Sequence, residues 1–421
     1  MLNDFERNLD KYAEVIVKVG LNLQPGQRLL IGWPASGLYG TPIELAPLVR
    51  RIVKLAYQGG ARLVEVLWND DQTRLLRFQY APPGTLEEFP TWRAVAAIEM
   101  AEAGDAVLRL SAQDPDLLAG QDPSRISLFN STNAKHIAPF GQILSRSGTN
   151  WSVATAPVEG WTEKVFPDLP PDEAQARFWD VLFDICRIKQ PDPVAAWTEH
   201  INQLLARIGY LNGKRYAGLR LRGPGTDLTL GLPDGHIWGG ARMPTQAGID
   251  FTANIPTEEV FTSPHAAKTE GFITMSKLLC YGGAVIEGLR MVFSAGRMTE
   301  LTASKGQDYL RQVLAVDEGA RRLGEVALVP HSSPISQSGM LFYNTLIDEN
   351  AASHIAVGRG FRFALEGAAS MSDEEFEAAG GNQSLVHIDC MVGSDEMDVD
   401  GLASDGSVEP VMRSGEWAFE V

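Results

Sequence analysis

The N-terminal part of the chain alternates short apolar runs with longer segments of helical period, and this alternation constrains the fold more than any other feature. The apolar runs lie at residues 29–33, 62–68, 106–110 and 151–154. Apolar residues recur with a helical period at residues 43–58 and 91–103. Strands separated by helices are typical of βαβ units, whose strands are parallel. The pattern therefore predicts an α/β N-terminal domain with a mostly parallel sheet.

The chain changes character after a proline-rich stretch at residues 166–172 and two helical segments at residues 173–188 and 193–211. Beyond that point the sequence predicts two strands at residues 216–232, joined by a Gly-Pro-Gly turn. It also predicts strands at residues 285–293 and 384–392 and a helix at residues 307–324. This mixture predicts an α+β C-terminal domain with a mostly antiparallel sheet. Two domains are expected for 421 residues, so we place the boundary near residue 190, giving domains 1–190 and 191–421.

The charge of the chain argues against several classes of partner. A formal net charge of −17, from 53 acidic and 36 basic side chains, disfavours nucleic acid and anionic membranes, which bind through Lys and Arg. No apolar run approaches the roughly 18 residues of a membrane-spanning helix, and the N-terminus lacks the features of a signal peptide. Cys186, Cys280 and Cys390 form no CxxC pair, which disfavours a disulfide framework or a cysteine zinc site. We therefore expect a cytoplasmic protein without a nucleic-acid or membrane partner.

The segment His387-Ile388-Asp389 lies in a strand-like run. In a strand, residues two positions apart project from the same face. One imidazole and one carboxylate therefore point in the same direction, which suits two ligands of a metal ion. A surface pair of His and Asp is the alternative explanation.

Two acidic segments supply further candidate ligands. Glu258 and Glu259 lie among apolar residues between Pro256 and Pro264, where burial of a carboxylate requires a partner. The alternative there is the first turn of a helix, where acids interact favourably with the dipole. Glu325 follows the helix predicted at residues 307–324, and its alternative is an ordinary helix terminus.

Polar residues of ligand type are also concentrated just after an apolar run, in residues 348–354. Glu349 and His354 are five positions apart. This differs from the i, i+4 spacing of a helical HExxH pair and excludes a simple site of that kind. A helix N-terminus rich in capping residues is the alternative.

Taken together, these segments contribute four carboxylates and two imidazoles: Glu259, Glu325, Glu349, His354, His387 and Asp389. One zinc ion needs about four ligands, and a catalytic zinc keeps one position for water. Six candidates fit two ions that share a carboxylate. In two-metal sites the ions lie about 4 Å apart and clamp both oxygens of the reacting centre.

Four runs resemble the thermophilic metalloaminopeptidases called aminopeptidase T, aminopeptidase S and PepS: NIPTEEVFTSP (254–264), RRLGEVALVP (321–330), SPISQSGMLFYNTLIDENAASH (333–354) and HID (387–389). The similarity extends over the whole chain and includes GPGTDLTLGLP (223–233). The resemblance implies a dinuclear metalloexopeptidase that removes N-terminal amino acids from peptides. It also implies a homodimer, with an N-terminal α/β domain and a catalytic, metal-binding C-terminal domain.

The resemblance also implies roles for individual residues. Glu259 matches the second acid of the TEE motif, and Glu325 matches an acid expected to bridge the two metals. Glu349 matches the acid of the DEN motif, and His354 follows it by five positions, as in the family. His387 and Asp389 match the final HxD pair. The implied cofactors are two divalent metal ions per chain, zinc or cobalt, with manganese and magnesium as alternatives.

One position departs from the family pattern. The family has a tyrosine seven residues after the histidine, in a run like HLALGSAY, whereas this chain has HIAVGRGF and places Phe361 there. The family tyrosine is thought to assist catalysis or to contact a metal. Phenylalanine cannot donate a hydrogen bond, and one oxyanion-type donor is worth on the order of 10²–10³ in rate. This departure leaves three explanations: a weaker enzyme, a replacement for the hydroxyl, or a different substrate.

The leading hypothesis is an aminopeptidase in which a metal-bound hydroxide attacks the scissile carbonyl of a peptide with a free N-terminus. Glu349 and Glu258 are both candidates for the general base. A second hypothesis is a ring-cleaving dioxygenase with one iron held by His354, His387 and Asp389. The retention of two further glutamates argues against it. A third hypothesis is a catalytically weak homologue, because of Phe361.

Overall fold

The computed structural model describes residues 4–33, 40–82, 84–282 and 284–421. Its α-helices are α1 (Asp4–Val15), α2 (Ala46–Gln58), α3 (Asp71–Tyr80), α4 (Thr91–Glu102), α5 (Pro123–Ser145), α6 (Glu159–Val165), α7 (Pro171–Ile185), α8 (Pro193–Lys214), α9 (Gln307–Val313), α10 (Pro334–Gln337), α11 (Thr345–Asp348) and α12 (Asp373–Ala378). None of the described helices is both long enough and apolar enough to cross a membrane.

The first eleven strands precede the acidic segment at residues 257–259: β1 (Arg28–Ile31), β2 (Thr41–Pro42), β3 (Leu63–Val66), β4 (Trp68–Asn69), β5 (Ala106–Leu110), β6 (Trp151–Ala154), β7 (Gly218–Gly223), β8 (Thr226–Gly231), β9 (Gly239–Gly240), β10 (Met243–Pro244) and β11 (Asp250–Phe251). The later strands are β12 (Val260–Thr262), β13 (Thr269–Thr274), β14 (Leu279–Tyr281), β15 (Ala284–Ile286), β16 (Arg290–Ser294), β17 (Arg297–Thr302), β18 (Leu323–Leu328), β19 (His354–Gly358), β20 (His387–Met391), β21 (Asp398–Leu402), β22 (Val408–Arg413) and β23 (Glu416–Trp417).

The chain divides into two compact units. The first comprises Met1–His200 and Arg242–Pro256, and the second comprises Ile201–Ala241 and Thr257–Val421. The domain boundary near residue 190 stays a prediction. The sequence does not predict that residues 242–256 return to the first unit. This segment belongs there because the backbone of Val153 in β6 donates to the carbonyl of Ala253 at 2.7 Å and accepts from Ile255 at 2.9 Å.

The first unit contains the parallel sheet that the sequence predicts. Its four strands lie in the order β3-β1-β5-β6, and every neighbouring pair is parallel. The two central strands carry apolar side chains on both faces because helices cover both faces of such a sheet. Leu30 and Val107 from these strands pack with Trp33, Met100 and Phe140 in one buried cluster. The predicted α/β class of the N-terminal part is confirmed.

The second unit is built on two antiparallel sheets. The larger has eight strands in the order β17-β16-β13-β8-β7-β21-β22-β23. The smaller has five strands in the order β20-β19-β18-β12-β9, and each neighbouring pair in it is antiparallel. The predicted mostly antiparallel sheet is therefore confirmed.

One secondary-structure prediction in this unit is wrong. The helix predicted at residues 307–324 ends at Val313, a 3-10 turn covers Gly319–Arg321, and the following residues form strand β18. Every residue of β18 is buried, so its apolar residues have no helical period and fit a central strand covered on both sides. Glu325 consequently projects from a strand instead of ending a helix.

We expect Asp105 to be a major contributor to the stability of the first unit. Its side chain is 4% exposed, and its carboxylate accepts from the backbone N–H of Arg28 at 2.7 Å and from Nε of the same residue at 2.6 Å. Asp105→Ala leaves both donors without this partner and should lower the free energy of unfolding by about 3 kcal/mol. Urea denaturation monitored by circular dichroism measures the change.

The matched control for Asp105 is Lys18→Ala, which removes the exposed ion pair of Lys18 and Glu14 on one helical segment. Exposed pairs of this kind contribute little to stability, so the urea midpoint should stay close to the wild-type value. Equal effects of the two substitutions would contradict the importance of the buried carboxylate.

Candidate metal centre

Strand pairing brings most of the predicted ligands to one face of the five-stranded sheet. Glu325 in β18 is opposite Ala356 in β19, which is opposite Asp389 in β20. Residues that are directly opposite in neighbouring strands project from the same face. His354 and His387 lie two positions before the β19 and β20 members of this row, so the strand period adds both imidazoles to that face.

Glu259 reaches the same face through β12. Phe261 in β12 is opposite Ala327 in β18, and Ala327 is opposite His354 in β19. Glu259 lies two positions before Phe261 in extended chain and therefore follows the same alternation. Its residue is only 6% exposed, so its carboxylate lies inside the protein with the others.

Small residues occupy the centre of this face. Ala356 stands between Glu325 and Asp389 in the row across the strands, and its single methyl group leaves room for both carboxylates. Gly358 is opposite His387, with a φ of 103° that side chains rarely adopt. A Cβ there would lie 2.2 Å from the carbonyl oxygen of Val386. Ala356 thus keeps the space between Glu325 and Asp389 free of bulk, and Gly358 allows the close approach of the neighbouring backbone.

One group of donors comprises Glu259, Glu325 and His354. One potential ligand atom from each of these residues lies within 4.8 Å of the other two. Nε2 of His354 lies 3.2 Å from Oε2 of Glu259. Nδ1 of the same ring lies 3.1 Å from the carbonyl oxygen of Ala352, which directs Nε2 toward the carboxylates. This arrangement is typical of a histidine that presents one nitrogen to a metal and anchors the other on a backbone carbonyl.

A second group comprises Glu325, His387 and Asp389, again within 4.8 Å of one another. Nε2 of His387 lies 3.0 Å from Oε2 of Glu325 and 3.1 Å from Oδ1 of Asp389. Nδ1 lies 2.7 Å from the carbonyl oxygen of Arg359, so this imidazole is anchored in the same way. Glu325 belongs to both groups.

The chemistry of these groups fits divalent metal ions. Oε2 of Glu259 is buried and has no hydrogen-bond partner among the described residues, although His354 lies nearby. A buried carboxylate is costly unless a positive charge balances it, and either a protonated His354 or a metal ion could supply that charge. Imidazole nitrogens and carboxylate oxygens are the ligands of zinc and of similar transition metals.

The electrostatics of the metal-free protein show strong coupling within the cluster. Burial lowers the pKa of His354, but Glu259, Glu325 and Asp389 together outweigh it and raise this pKa to about 10. Burial also lowers the pKa of His387, and the charges of Asp389 and Glu325 raise it well above its ordinary value. Without a cation, protons on both imidazoles neutralise the surrounding acids.

The pKa values of the acids in the cluster shift in different directions, depending on whether burial or an imidazole has the larger effect. Burial raises the pKa of Asp389, but His387 outweighs it, so the net shift is downward. Burial raises the pKa of Glu325 despite the opposing influence of His387. Burial, Asp389 and Glu259 raise the pKa of Glu349 well above its ordinary value. Glu349 therefore lies within electrostatic reach of the cluster.

The turn that carries Glu349 is held by its neighbours. Asp348 accepts from the backbone N–H groups of Phe342 at 2.8 Å and Asn344 at 3.0 Å, and burial raises its pKa to about 6. The side-chain oxygen of Asn350 accepts from the backbone N–H of Glu258 at 2.7 Å. These bonds link the residue 348–350 turn to the segment that contains Glu259.

Glu258 has surroundings different from those of the six predicted ligands. It is 3% exposed, and its carboxylate interacts electrostatically with Arg207, whose pKa burial lowers and Glu258 raises. Adjacent residues of extended chain project to opposite faces, so Glu258 and Glu259 diverge. Glu258 is absent from the two groups of donors found among the described residues.

Phe361 lies beside the cluster, as its position in the motif suggests. Its ring centroid is 5.0 Å from that of His387, and its backbone N–H donates to Oγ of Ser263 at 3.0 Å.

Tyr281, which lies in β14, is a residue near the cluster that the sequence does not predict. Burial raises the pKa of Tyr281 to about 12, and Tyr309 and Asp389 contribute to that rise. No motif in the sequence marks Tyr281, because long-range packing brings it near Asp389.

Comparisons with known proteins identify the family to which the chain belongs. A model of the thermophilic metalloprotease (M29) family matches residues 5–417. Aminopeptidase 2 of Geobacillus stearothermophilus is 45% identical over 420 residues, which is 100% of both chains. A solved structure of wild-type AmpT from Thermus thermophilus has a TM-score of 0.91 and 41% identity, covering 99% of this chain and 100% of that one.

A second solved structure, 2,5-dihydroxypyridine dioxygenase from Pseudomonas putida KT2440, has a TM-score of 0.51 and 13% identity, covering 99% of this chain and 97% of that one. This likeness concerns the fold alone. The family match and the full-length identity carry more information, and they confirm the resemblance that the sequence motifs indicate. The chain belongs to the M29 family of thermophilic metalloproteases.

Proposed function

We propose that this protein is an aminopeptidase that removes N-terminal amino acids from peptides with a dinuclear metal centre. The observation that carries the proposal is that two groups of donors share Glu325. A carboxylate has two oxygens, so one glutamate can serve two ions. Membership of a metalloprotease family and the similarity to proteins named as aminopeptidases support the same activity.

In this proposal Glu259 and His354 would hold one ion, His387 and Asp389 would hold the other, and Glu325 would contribute to both. Glu349 completes the set of six ligands or acts beside it. Bound divalent ions would polarise the scissile carbonyl and lower the pKa of a water molecule. Two imidazoles favour zinc or cobalt over the harder manganese and magnesium ions. The homodimer that the resemblance implies stays a prediction.

Glu349 is the better candidate for the general base. A general base needs a pKa near the working pH and access to the reacting water. Glu349 is half-buried and its pKa is raised, whereas Glu258 is almost fully buried and interacts with Arg207. The substrate α-amine, as a cation, would be attracted to the same acidic surroundings.

The alternative of a single iron held by His354, His387 and Asp389 has less support. His354 falls in one group of donors, and His387 and Asp389 fall in the other. Each group also contains Glu325, which a two-His-one-carboxylate iron site does not require. Metal content separates the hypotheses, since one iron per chain would favour the dioxygenase.

The proposal predicts two zinc or cobalt ions per chain after reconstitution and release of p-nitroaniline from aminoacyl-p-nitroanilides. Glu325→Gln should lower the metal content and reduce kcat/KM by roughly 10³-fold, or about 4 kcal/mol, because both ions lose a ligand. Mass spectrometry of the metals and a colorimetric assay measure the two effects.

Glu300→Gln is the matched control, since this exposed glutamate lies on strand β17. It should leave both metal content and activity unchanged. N-acetyl-leucyl-p-nitroanilide should resist cleavage, because an aminopeptidase requires a free amine. Absence of turnover on every substrate of the panel would overturn the proposed activity.

Metal binding should release protons at neutral pH. The raised pKa of His354 means that its ion pair with Glu259 stabilises the metal-free fold below pH 6.5 and that this stabilisation is lost as the pH rises to about 10. A metal binds the neutral imidazole, so its affinity should increase over the same range. Calorimetric zinc titration at pH 7.5, in buffers of different ionisation enthalpy, measures the proton release.

His354→Gln should release about one proton fewer per chain than the wild type at that pH, because His354 then contributes none. His331→Gln is the control, since the ring of His331 lies 3.2 Å from Oγ of Ser336 and outside both groups of donors. An unchanged proton release in His354→Gln would show that His354 is neutral or does not bind the metal.

Phe361→Tyr should increase kcat on leucyl-p-nitroanilide by about 10²-fold. The new hydroxyl would restore a hydrogen-bond donor beside His387, and one oxyanion-type donor is worth roughly 10²–10³ in rate. Phe272→Tyr adds the same group to a half-buried ring on β13 of the eight-stranded sheet and serves as the control. An unchanged kcat in Phe361→Tyr would mean that the missing hydroxyl does not limit this enzyme.

A further inference from the structure

Three phenylalanines form an aromatic surface beside the donor cluster, and we call Phe261, Phe361 and Phe363 the aromatic wall. The rings of Phe361 and Phe363 are stacked, with centroids 5.0 Å apart and an interplanar angle of 19°. The ring centroid of Phe261 lies 5.5 Å from that of Phe361 and 5.9 Å from that of Phe363. The three side chains thus form one continuous apolar surface.

The aromatic wall is held in place by the backbone. Residues Arg362–Ala364 form a 3-10 turn, and the carbonyl of Ala364 accepts from the backbone N–H of Ile237 at 2.8 Å. The guanidinium of Arg362 donates to the carbonyls of Ala368 at 3.1 Å and Met371 at 3.0 Å. A surface fixed in this way loses little conformational entropy when a ligand packs against it.

The aromatic wall borders the donors directly. The Phe361 ring lies 5.0 Å from the ring of His387, and Phe261 lies on the sheet face that carries Glu259. Phe361 and Phe363 are only half-buried, so part of each ring is still accessible. An apolar surface next to a cluster of acids is suited to a ligand with an apolar side chain and a cationic group close together.

We propose that the aromatic wall binds the side chain of the substrate's N-terminal residue and selects leucine-like and aromatic residues. This inference rests on the proposed aminopeptidase function. In such a substrate the α-carbon is bonded to the scissile carbonyl, so its side chain must lie next to the donors. A carboxylate side chain would be repelled by the acids, and a charged side chain of either sign would lose hydration against the rings.

The substitution at position 361 strengthens this selection. A tyrosine at position 361 would place a hydroxyl on the aromatic wall, whereas Phe361 makes all three rings purely apolar. Polar N-terminal residues then find no hydrogen-bond partner on these rings. Phe361 thus acquires a role in substrate choice, whatever its effect on rate.

The test measures kcat and KM for leucyl-, phenylalanyl-, alanyl-, lysyl- and glutamyl-p-nitroanilide with wild type and Phe363→Ala. The wild type should prefer the leucyl and phenylalanyl substrates. Phe363→Ala should lower kcat/KM for these two by roughly 10–100-fold, mainly through KM, and change the alanyl value by less than about 3-fold. Calorimetry should show that L-leucine binds the variant correspondingly less tightly.

Phe272→Ala is the matched control, because this half-buried phenylalanine lies on β13 of the eight-stranded sheet. It should keep the wild-type substrate profile. Phe363→Leu serves as the second variant if Phe363→Ala does not fold, and it should retain the leucyl preference while losing part of the phenylalanyl rate.

Three results would overturn the aromatic wall as the specificity surface: equal losses on alanyl and leucyl substrates in Phe363→Ala, an unchanged phenylalanyl rate in Phe363→Leu, or a wild-type preference for charged substrates. If the wild type cleaves none of the substrates, the proposed function fails. The binding of L-leucine then decides the inference by itself, and equal affinities of wild type and Phe363→Ala would reject it.

Discussion

The carboxylate of Glu325 is the group on which the rest of the second unit depends. It is 4% exposed, projects from a strand that is buried throughout, and belongs to both groups of donors. Four acids cannot lie this close in a protein interior unless positive charge accompanies them. Two protonated imidazoles supply that charge in the metal-free protein, and divalent ions would supply it in the proposed enzyme. The small residues of β19 follow from the same requirement, because the charges need room.

Much of this arrangement is readable in the sequence, because some of its signals are local. The spacing of His387 and Asp389 predicts a shared face correctly, since the strand period acts over two residues. The alternation of apolar runs and helical segments predicts the parallel sheet for the same reason. The family resemblance extends the set to Glu259, Glu325, Glu349 and His354, which local patterns alone leave ambiguous.

The features that the sequence reading missed depend on contacts between distant residues. The sequence predicts a helix up to Glu325 because the fully buried strand that carries this residue has no alternating pattern. The long helix α5 was not predicted, although Asp122 caps its first turn. Tyr281 and the aromatic wall have no motif, because each acquires its neighbours only when separate strands and turns pack together.

The return of residues 242–256 to the first unit has a consequence for synthesis on the ribosome. Strand β6 needs this segment for its backbone hydrogen bonds, yet residues 201–241 of the second unit are translated in between. The first unit therefore cannot complete its fold when its own contiguous residues emerge. Until residues 242–256 have been made, strand β6 has an unpaired edge, which is the feature of a sheet most open to wrong pairing.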